Sequence, residues 1–324
     1  MKKILITGAG GFIGSHLTEM CVREGFEVKA FVRYNSKGHW GWLENSSCKG
    51  SFEVLSGDIR DYDSVHKALR GCASVIHLAA LIGIPYSYIS PKAYLETNVT
   101  GTYNILEASK ELNISNLLIT STSETYGTAQ YVPIDEQHPV VGQSPYSASK
   151  IAADQLAISY FRSFELPVKI VRPFNSYGPR QSARAIIPTI ISQILAGERV
   201  LNVGNLHPTR DLTFVNDTCS GFLEIFKSQN LFGKAVNIGM NHEISIGELL
   251  TLIARLMNVN VEIRSDQQRI RPSKSEVERL CCNNQLMLSS TNWRPIYNLE
   301  KGLIETIEWL RQHINNYKPE FYNV

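Results

Sequence analysis

Directly after the apolar run Ile4-Leu5-Ile6 the chain reads Thr7-Gly8-Ala9-Gly10-Gly11-Phe12-Ile13-Gly14, and a helical pattern begins at once. Gly8, Gly11 and Gly14 therefore stand at GxxGxxG spacing between a strand and a helix, an arrangement that few folds require. Each glycine has its own physical use. Gly8 permits a tight turn, Gly11 lets backbone N–H groups approach a pyrophosphate, and Gly14 allows a helix to pack closely on a strand. Phe12 and Ile13 lie between them on the same helix start. Glycine turns are common, so the spacing gains its weight from its place in the chain.

Through the first half, apolar runs of about five residues alternate with helical-period segments, the pattern of βαβ units and a parallel sheet. Strands are expected at Lys3–Thr7, Val28–Arg33, Phe52–Ser56, Ser74–His77, Leu117–Ser121 and Val168–Arg172. Helices are expected near Gly14–Glu24, Tyr62–Leu69, Ala93–Leu112 and Tyr146–Phe164. This order predicts an α/β fold with a Rossmann doubly wound parallel sheet. Beyond Arg172 the chain turns to Pro/Gly/Asn-containing loops, with only one further strand-like return at Lys234–Gly239 and helices near Ile187–Ala196 and Ile246–Leu256. The expected division is a dinucleotide-binding domain of residues 1–172 plus about 215–239, and a smaller substrate-binding lobe of residues 173–214 and 240–324.

Composition excludes several other classes. The 32 basic and 30 acidic side chains are spread along 324 residues, which leaves no broad basic face for nucleic acid. Met1-Lys2-Lys3 opens like a signal peptide, but Gly8, Gly10, Gly11 and Gly14 interrupt the apolar run, and nothing reaches the roughly 18 apolar residues of a membrane helix. Cys21, Cys48, Cys72, Cys219, Cys281 and Cys282 contain no CxxC pair, so reduced thiols in a cytoplasmic protein are expected. The eight histidines never fall at HxH or HxxxH spacing, and no metal site is expected.

The end of the second strand commonly offers an acid to the adenosine ribose of NAD; here it reads Val32-Arg33-Tyr34-Asn35-Ser36. With the acid missing and an arginine in place, NADP is favoured over NAD, Arg33 pairing with a 2′-phosphate and Asn35 and Ser36 beside it. A solvated strand-end arginine is the plainer alternative. Asp58-Ile59 after the third strand places a carboxylate near the adenine amino group, or is an ordinary turn. His77-Leu78-Ala79-Ala80 ends the fourth strand with residues small enough at Ala79 and Ala80 for a cofactor to pass beside Leu78 and the backbone.

Tyr146-Ser147-Ala148-Ser149-Lys150 puts a phenol and an ammonium at i and i+4, on one face of the expected helix. The Lys150 charge and a positive nicotinamide are expected to draw the Tyr146 pKa down from about 10, so that the phenolate accepts a hydroxyl proton. The fifth strand runs out through Thr122-Ser123-Glu124 at the carboxyl edge of the sheet, where ligands of such sheets bind. Thr122 is placed to bond a sugar hydroxyl and Glu124 to take or deliver a proton beside it.

Together these motifs, with Arg172-Pro173-Phe174-Asn175-Ser176-Tyr177-Gly178-Pro179-Arg180, Arg210-Asp211-Leu212-Thr213-Phe214-Val215-Asn216-Asp217 and Asn292-Trp293-Arg294-Pro295, resemble the extended short-chain dehydrogenase/reductase family over nearly the whole chain. Members oxidise, epimerise or dehydrate sugars on nucleoside diphosphates. The resemblance implies Asn98 and Pro173 as further cofactor contacts. It also places Asn175, Arg184, Arg210 and Arg271 around the diphosphate and Glu276 at a ribose. It implies a homodimer through the Ala93–Leu112 and Tyr146–Phe164 helices, with a tetramer open.

Ser123-Glu124 is similar to the pair of GDP-mannose 4,6-dehydratases, whereas 4-epimerases typically carry small residues there. The segments Tyr34–Glu44 and Arg269–Leu280 resemble the legionaminic-acid-pathway dehydratases, a subgroup associated with GDP-N-acetylglucosamine. The expected function is thus a nucleotide-sugar 4,6-dehydratase of the carbon–oxygen lyase type. A 4-epimerase or 4-reductase using the same Tyr146/Lys150 chemistry is the first rival, and an NADP-sensing regulatory protein without turnover the second. Ser123 is a departure from relatives that hold an aspartate to protonate the departing C6 hydroxyl, so the group that supplies that proton stays open.

Overall fold

The computed structural model describes residues 3–318; Met1, Lys2 and the last six residues of the expected lobe lie outside the described residues. Among the described residues twelve strands occur in chain order: β1 Lys3–Thr7, β2 Glu27–Arg33, β3 Phe52–Gly57, β4 Ser74–His77, β5 Asn116–Thr120, β6 Val168–Pro173, β7 Asn175–Tyr177, β8 Val200–Val203, β9 Thr209–Phe214, β10 Ala235–Ile238, β11 Glu243–Ser245 and β12 Glu262–Ser265. The α-helices are α1 Phe12–Arg23, α2 Tyr62–Leu69, α3 Ile84–Ile89, α4 Pro91–Tyr94, α5 Gly101–Glu111, α6 Pro145–Phe164, α7 Ile186–Leu195, α8 Val215–Lys227, α9 Ile246–Leu256, α10 Gln285–Ser290 and α11 Leu299–His313.

Seven strands form one sheet in the order β10-β6-β5-β4-β1-β2-β3, all parallel. The order reverses between β1 and β4, which opens a crevice at the carboxyl ends of those strands and fits the expected doubly wound fold. Alternate residues of each strand feed opposite faces. Ile4, Ile6, Val28, Ala30 and Val32 pack with Leu17 and Cys21 of α1, Phe222 of α8 and Ile190 of α7. Leu5, Phe31, Val75, Leu117 and Ile119 pack with Val65 of α2, Ile105 of α5 and Ala157 of α6. Beyond the main sheet, β9 pairs with β7 and β11, and β12 with β8, so the described part of this half holds five short strands besides the single return expected there, each of three to six residues and too short or too polar to stand out as an apolar run. The register Asn175↔Leu212 sets β7 beside β9, the strand that carries Arg210.

Two local differences from the sequence expectation matter for the site. First, α1 begins at Phe12 because Gly11 is its N-cap in extended conformation and contributes no side-chain acceptor. Second, the helix expected over 93–112 is interrupted by a π-helical stretch, Leu95–Thr100. Such widened turns occur where side-chain bonding competes with the regular ladder. Asn98, on this turn, donates to Leu81 O at 2.9 Å and Ser149 Oγ at 3.0 Å.

The glycine turn is a set of backbone contacts. Gly8 has φ +68°, and Gly11 N–H donates to Gly8 O at 3.0 Å. A Cβ on Gly14 would fall 2.1 Å from Gly8 O, and one on Gly8 would fall 2.8 Å from Ala79 N. The segment after β2 then closes over the turn: Trp42 N–H donates to Gly10 O at 3.0 Å, and the Trp42 ring meets Trp309 of α11 edge to face with centroids 5.3 Å apart. Among the described residues no helix is long and apolar enough to cross a membrane.

Because no flexible side chain can yield to a methyl at Gly14, Gly14→Ala is expected to cost about 1–3 kcal/mol or more of stability. Denaturant unfolding measures this, and an unchanged midpoint would show that the turn relaxes without penalty.

Candidate active site

A cavity of about 1110 Å³ runs along the carboxyl edge of the main sheet. Its floor at one end is the turn Gly8, Gly11, Phe12, Ile13 and Gly14, followed by Leu78, Ala79 and Ala80 after β4 and Pro173 at the end of β6. The first turn of a helix carries N–H groups without intrahelical partners, and α1 has no side-chain cap to occupy them. An anionic diphosphate fits this cradle, since a Cβ at Gly8 or Gly14 would fill or distort it. Ala79 is held in place by its N–H bond to Thr7 Oγ1 at 3.2 Å, and Thr7 Oγ1 also meets His77 Nδ1 at 2.7 Å.

At the outer end Arg33, Asn35, Asp58 and Ile59 line the cavity. Arg33 is exposed, whereas Asp58 is engaged by Arg60, whose Nε donates to both carboxylate oxygens at 3.0 Å. Arg60, first, and the Arg33 charge hold the Asp58 carboxyl below the usual carboxylate range. Asn35 spends its side chain on its own loop, donating to His39 O at 2.7 Å and accepting from His39 N–H at 3.0 Å. Ser36 is exposed on that loop and does not line the cavity. Asn98 likewise does not line it; its amide ties the β4 loop to α6. His39, Trp40, Gly41 and Arg60 do line it, and sequence reading missed them as lining residues. The second glycine pair held a signal, because Gly10 and Gly41 approach so closely that a Cβ on either would fall 2.3 Å from a facing carbonyl oxygen.

In the middle of the cavity Thr122, Ser123 and Glu124, from the 3₁₀ turn after β5, face Tyr146. Thr122 Oγ1 caps that turn by accepting from Glu124 N–H at 3.2 Å. Tyr146 is set by the start of α6, where Ser144 and Ser147 form a capping box and Pro145 occupies the first turn. Tyr94 O–H donates to Gly83 O, and its ring meets Tyr146 edge to face, centroids 6.2 Å apart.

The i,i+4 spacing delivers Tyr146 and Lys150 to one buried face, but the electrostatics of the protein alone run opposite to the expected direction. Burial pushes the Tyr146 phenol well above its ordinary value, the Thr122 hydroxyl opposes that rise and the Glu124 charge adds to it. Lys150 donates to Thr120 O at 2.6 Å, and burial pulls its ammonium down to about 8. Desolvation penalises both charged forms before either can help the other.

At the far end Asn175, Arg184, Arg210 and Arg271 line the cavity. Asn175 Oδ1 is buried without a hydrogen bond. Glu276 lies behind the arginines, accepting from Arg210 Nη2 at 3.3 Å and Arg271 Nη1 at 3.4 Å. The carboxylate expected at a ribose is thus a bracket for two cations and does not line the cavity. Arg184 stands apart from this pair, its Nε donating to Ser182 Oγ at 3.2 Å and its guanidinium lying over Gly83. Arg269, which sequence reading left unassigned, also lines this end.

Residues 5–306 match the family described as GDP-mannose 4,6 dehydratase. The chain is similar to a dTDP-glucose 4,6-dehydratase of Streptomyces antibioticus, 30% identical over 98% of this chain and 94% of that protein. It is equally similar to a putative UDP-glucose 4-epimerase of Methanocaldococcus jannaschii, 30% identical over 96% of this chain and 99% of that one. Among solved structures it superimposes on DesIV, a dTDP-glucose 4,6-dehydratase of Streptomyces venezuelae with NAD bound, with a TM-score of 0.88, 26% identity and coverage of 98% and 99% of the two chains. A helix start bare of side chains at one end of a single cavity, a phenol and carboxylate at its middle and arginines at the other end thus meet a match over almost the full length: the chain belongs to the GDP-mannose 4,6-dehydratase family, the NAD(P)-dependent enzymes that dehydrate or epimerise nucleotide sugars.

Proposed function

We propose that the protein is a nucleotide-sugar 4,6-dehydratase that converts GDP-N-acetylglucosamine to the 4-keto-6-deoxy sugar with NADP as its cofactor. The observation that carries the reaction is Glu124, a buried carboxylate in the cavity wall on the same short turn as Thr122 and opposite Tyr146. Oxidation and return at C4 need one base. A second proton transfer, at C5, needs another, and epimerisation at C4 leaves Glu124 without a task.

In this reading Thr122 orients the sugar O4, and Tyr146 accepts the O4 proton, with Lys150 holding the phenol and the nicotinamide ribose. The nicotinamide supplies reversible hydride storage when bound, from C4 at the start of the cycle and back to C6 at its end. The 4-ketone acidifies the C5 proton, which Glu124 removes. Glu124 then carries that proton to O6 as water departs, Ser123 positions the hydroxyl, and as hydride returns to C6 a solvent proton is added at C5 while Tyr146 releases the O4 proton to solvent. Because burial holds the Tyr146 phenol protonated in the protein alone, its ionisation is tied to the arrival of positive charge in the site.

Support for NADP comes from Arg33 at the cavity rim, where β2 ends without an acid, and from Asp58 being engaged by Arg60. Support for the sugar comes from the resemblance of Tyr34–Glu44 and Arg269–Leu280 to dehydratases of GDP-N-acetylglucosamine, since His39, Trp40, Arg269 and Arg271 of these segments line the cavity. The division of labour belongs to the same proposal: residues 1–172 and about 215–239 for the dinucleotide, the remainder for the nucleotide sugar. So does a cytoplasmic homodimer through the α5 and α6 helices, which present Tyr103 and Phe164 to solvent.

Incubation with GDP-, UDP-, CDP- and dTDP-linked glucose and N-acetylglucosamine, and with GDP-mannose, tests the reaction. Loss of one water with solvent deuterium at C5, on GDP-N-acetylglucosamine, is the expected result; an isomer of unchanged mass makes the protein a 4-epimerase instead. Glu124→Gln is expected to lower dehydration by about 10²–10⁴-fold while reduced cofactor accumulates from the first half-reaction. Equal loss of both steps would mean that Glu124 serves C4. Arg33→Ala is expected to weaken NADP binding by about 1.5–3 kcal/mol, roughly ten- to a hundredfold, and to leave NAD binding little changed. A calorimetric titration in which both cofactors weaken equally would remove the case for NADP.

A further inference from the structure

Beneath the cavity floor, helix α6 carries a third ionisable group in line with the first two. Tyr146, Lys150 and Asp154 stand at i, i+4 and i+8, all on the buried face of one helix. Asp154 is 1% exposed, deeper than either of the others. Its Oδ2 accepts from Ser121 Oγ at 2.7 Å and from Arg172 Nη2 and Nε at 3.0 and 3.3 Å. Its Oδ1 is buried with no hydrogen-bond partner. Arg172 is fixed in turn, since its Nη1 donates to Tyr126 O–H at 3.0 Å and Tyr126 donates to Asn237 Oδ1 at 2.8 Å.

We propose that Asp154 is a positioning residue whose carboxylate, locked from one side by Arg172 and Ser121, is the counter-charge that keeps Lys150 an ammonium inside the buried site. The inference rests on the reading of Tyr146 and Lys150 as the proton-transfer pair, but it does not depend on which sugar is bound. A buried ammonium is costly unless an opposite charge lies close. Lys150 makes its hydrogen bond to the Thr120 carbonyl, which is a neutral partner. Burial pulls Lys150 down to about 8, and the charge of Asp154 acts against that fall.

The other groups that face this cluster do not replace Asp154. On β4, His77 is buried and held neutral, its pKa pulled down to about 3 by burial first and by the Lys150 charge second. On β6, Arg172 has the same sign as Lys150. After β5, Tyr126 is a phenol pushed up to about 12 by burial, and Glu124 bears on Tyr146. Tyr94 of α4 bears on Tyr146 as well. Glu136, near Arg172, is a carboxyl that burial raises. Asp154 is thus the carboxylate one helical turn from Lys150, ion-paired with Arg172 through one oxygen while the second stays uncommitted.

The test reads Lys150 directly. In protein labelled with ¹³C at lysine Cε, the Lys150 signal is assigned by its loss in Lys150→Met and titrated in the wild type, in Asp154→Asn and in the double variant Asp154→Asn/Arg172→Gln. The double variant is included because a buried pair tolerates loss of both charges better than loss of one. The Lys150 midpoint is expected to fall by about one unit in Asp154→Asn, as for removal of a nearby opposite charge, and by less in the double variant. Unchanged midpoints in whichever variants fold would overturn the proposal, even where activity is lost. Since no substrate enters the measurement, failure of the dehydratase reading shows in the donor assay and leaves this result standing.

Discussion

The rest of the molecule depends on how closely two pieces of backbone approach at the end of β1. Gly14 of the first helix lies against Gly8 O, and Gly8 lies against the backbone of Ala79 after β4. That contact seats α1 directly on the point where the strand order reverses, so its uncapped first turn opens into the crevice. Side chains cannot substitute for it, because any Cβ there falls on the backbone of the facing segment. From this seat the cavity runs without a break to the arginines beyond β6.

Charge in the cavity is organised by burial. The outer and far ends pair their ions: Arg60 with Asp58, and Arg210 and Arg271 with Glu276. The middle does not: burial drives the Tyr146 phenol in its wall, and the Lys150 amine one turn further along α6 outside the lining, toward their neutral forms. Burial of this kind favours neutral groups in the protein alone, and any charge brought near them shifts that balance.

The sheet was legible because its signals are local. Alternating apolar residues and the glycine turn placed β1, β4 and β6 to within a residue, and the Tyr146–Lys150 spacing needed only the helical period. The Asp58–Arg60 pair lay within reach of the sequence as well, two residues apart. Other features depend on distant partners. Glu276 meets Arg271 five positions away but Arg210 across 66, so the sequence around Glu276 holds only one side of that bracket. Asn98 reads as a helical residue until Ser149 and Leu81 arrive beside it. The direction of the Tyr146 shift depends on how much chain covers it, which spacing along one helix does not reveal.

The segment after β2 reaches the glycine turn through Trp42 and Gly10, yet the same Trp42 leans on Trp309, in a helix near the carboxyl end. A ribosome emits the turn long before the helix. The cover over the glycine turn therefore stays unfinished until α11 follows, and contacts between such distant parts of a chain form late. A nascent chain thus carries its glycine turn early but closes the segment after β2 over it only once α11 has been made, so the shape of this end of the cavity is set by parts of the chain far apart in sequence.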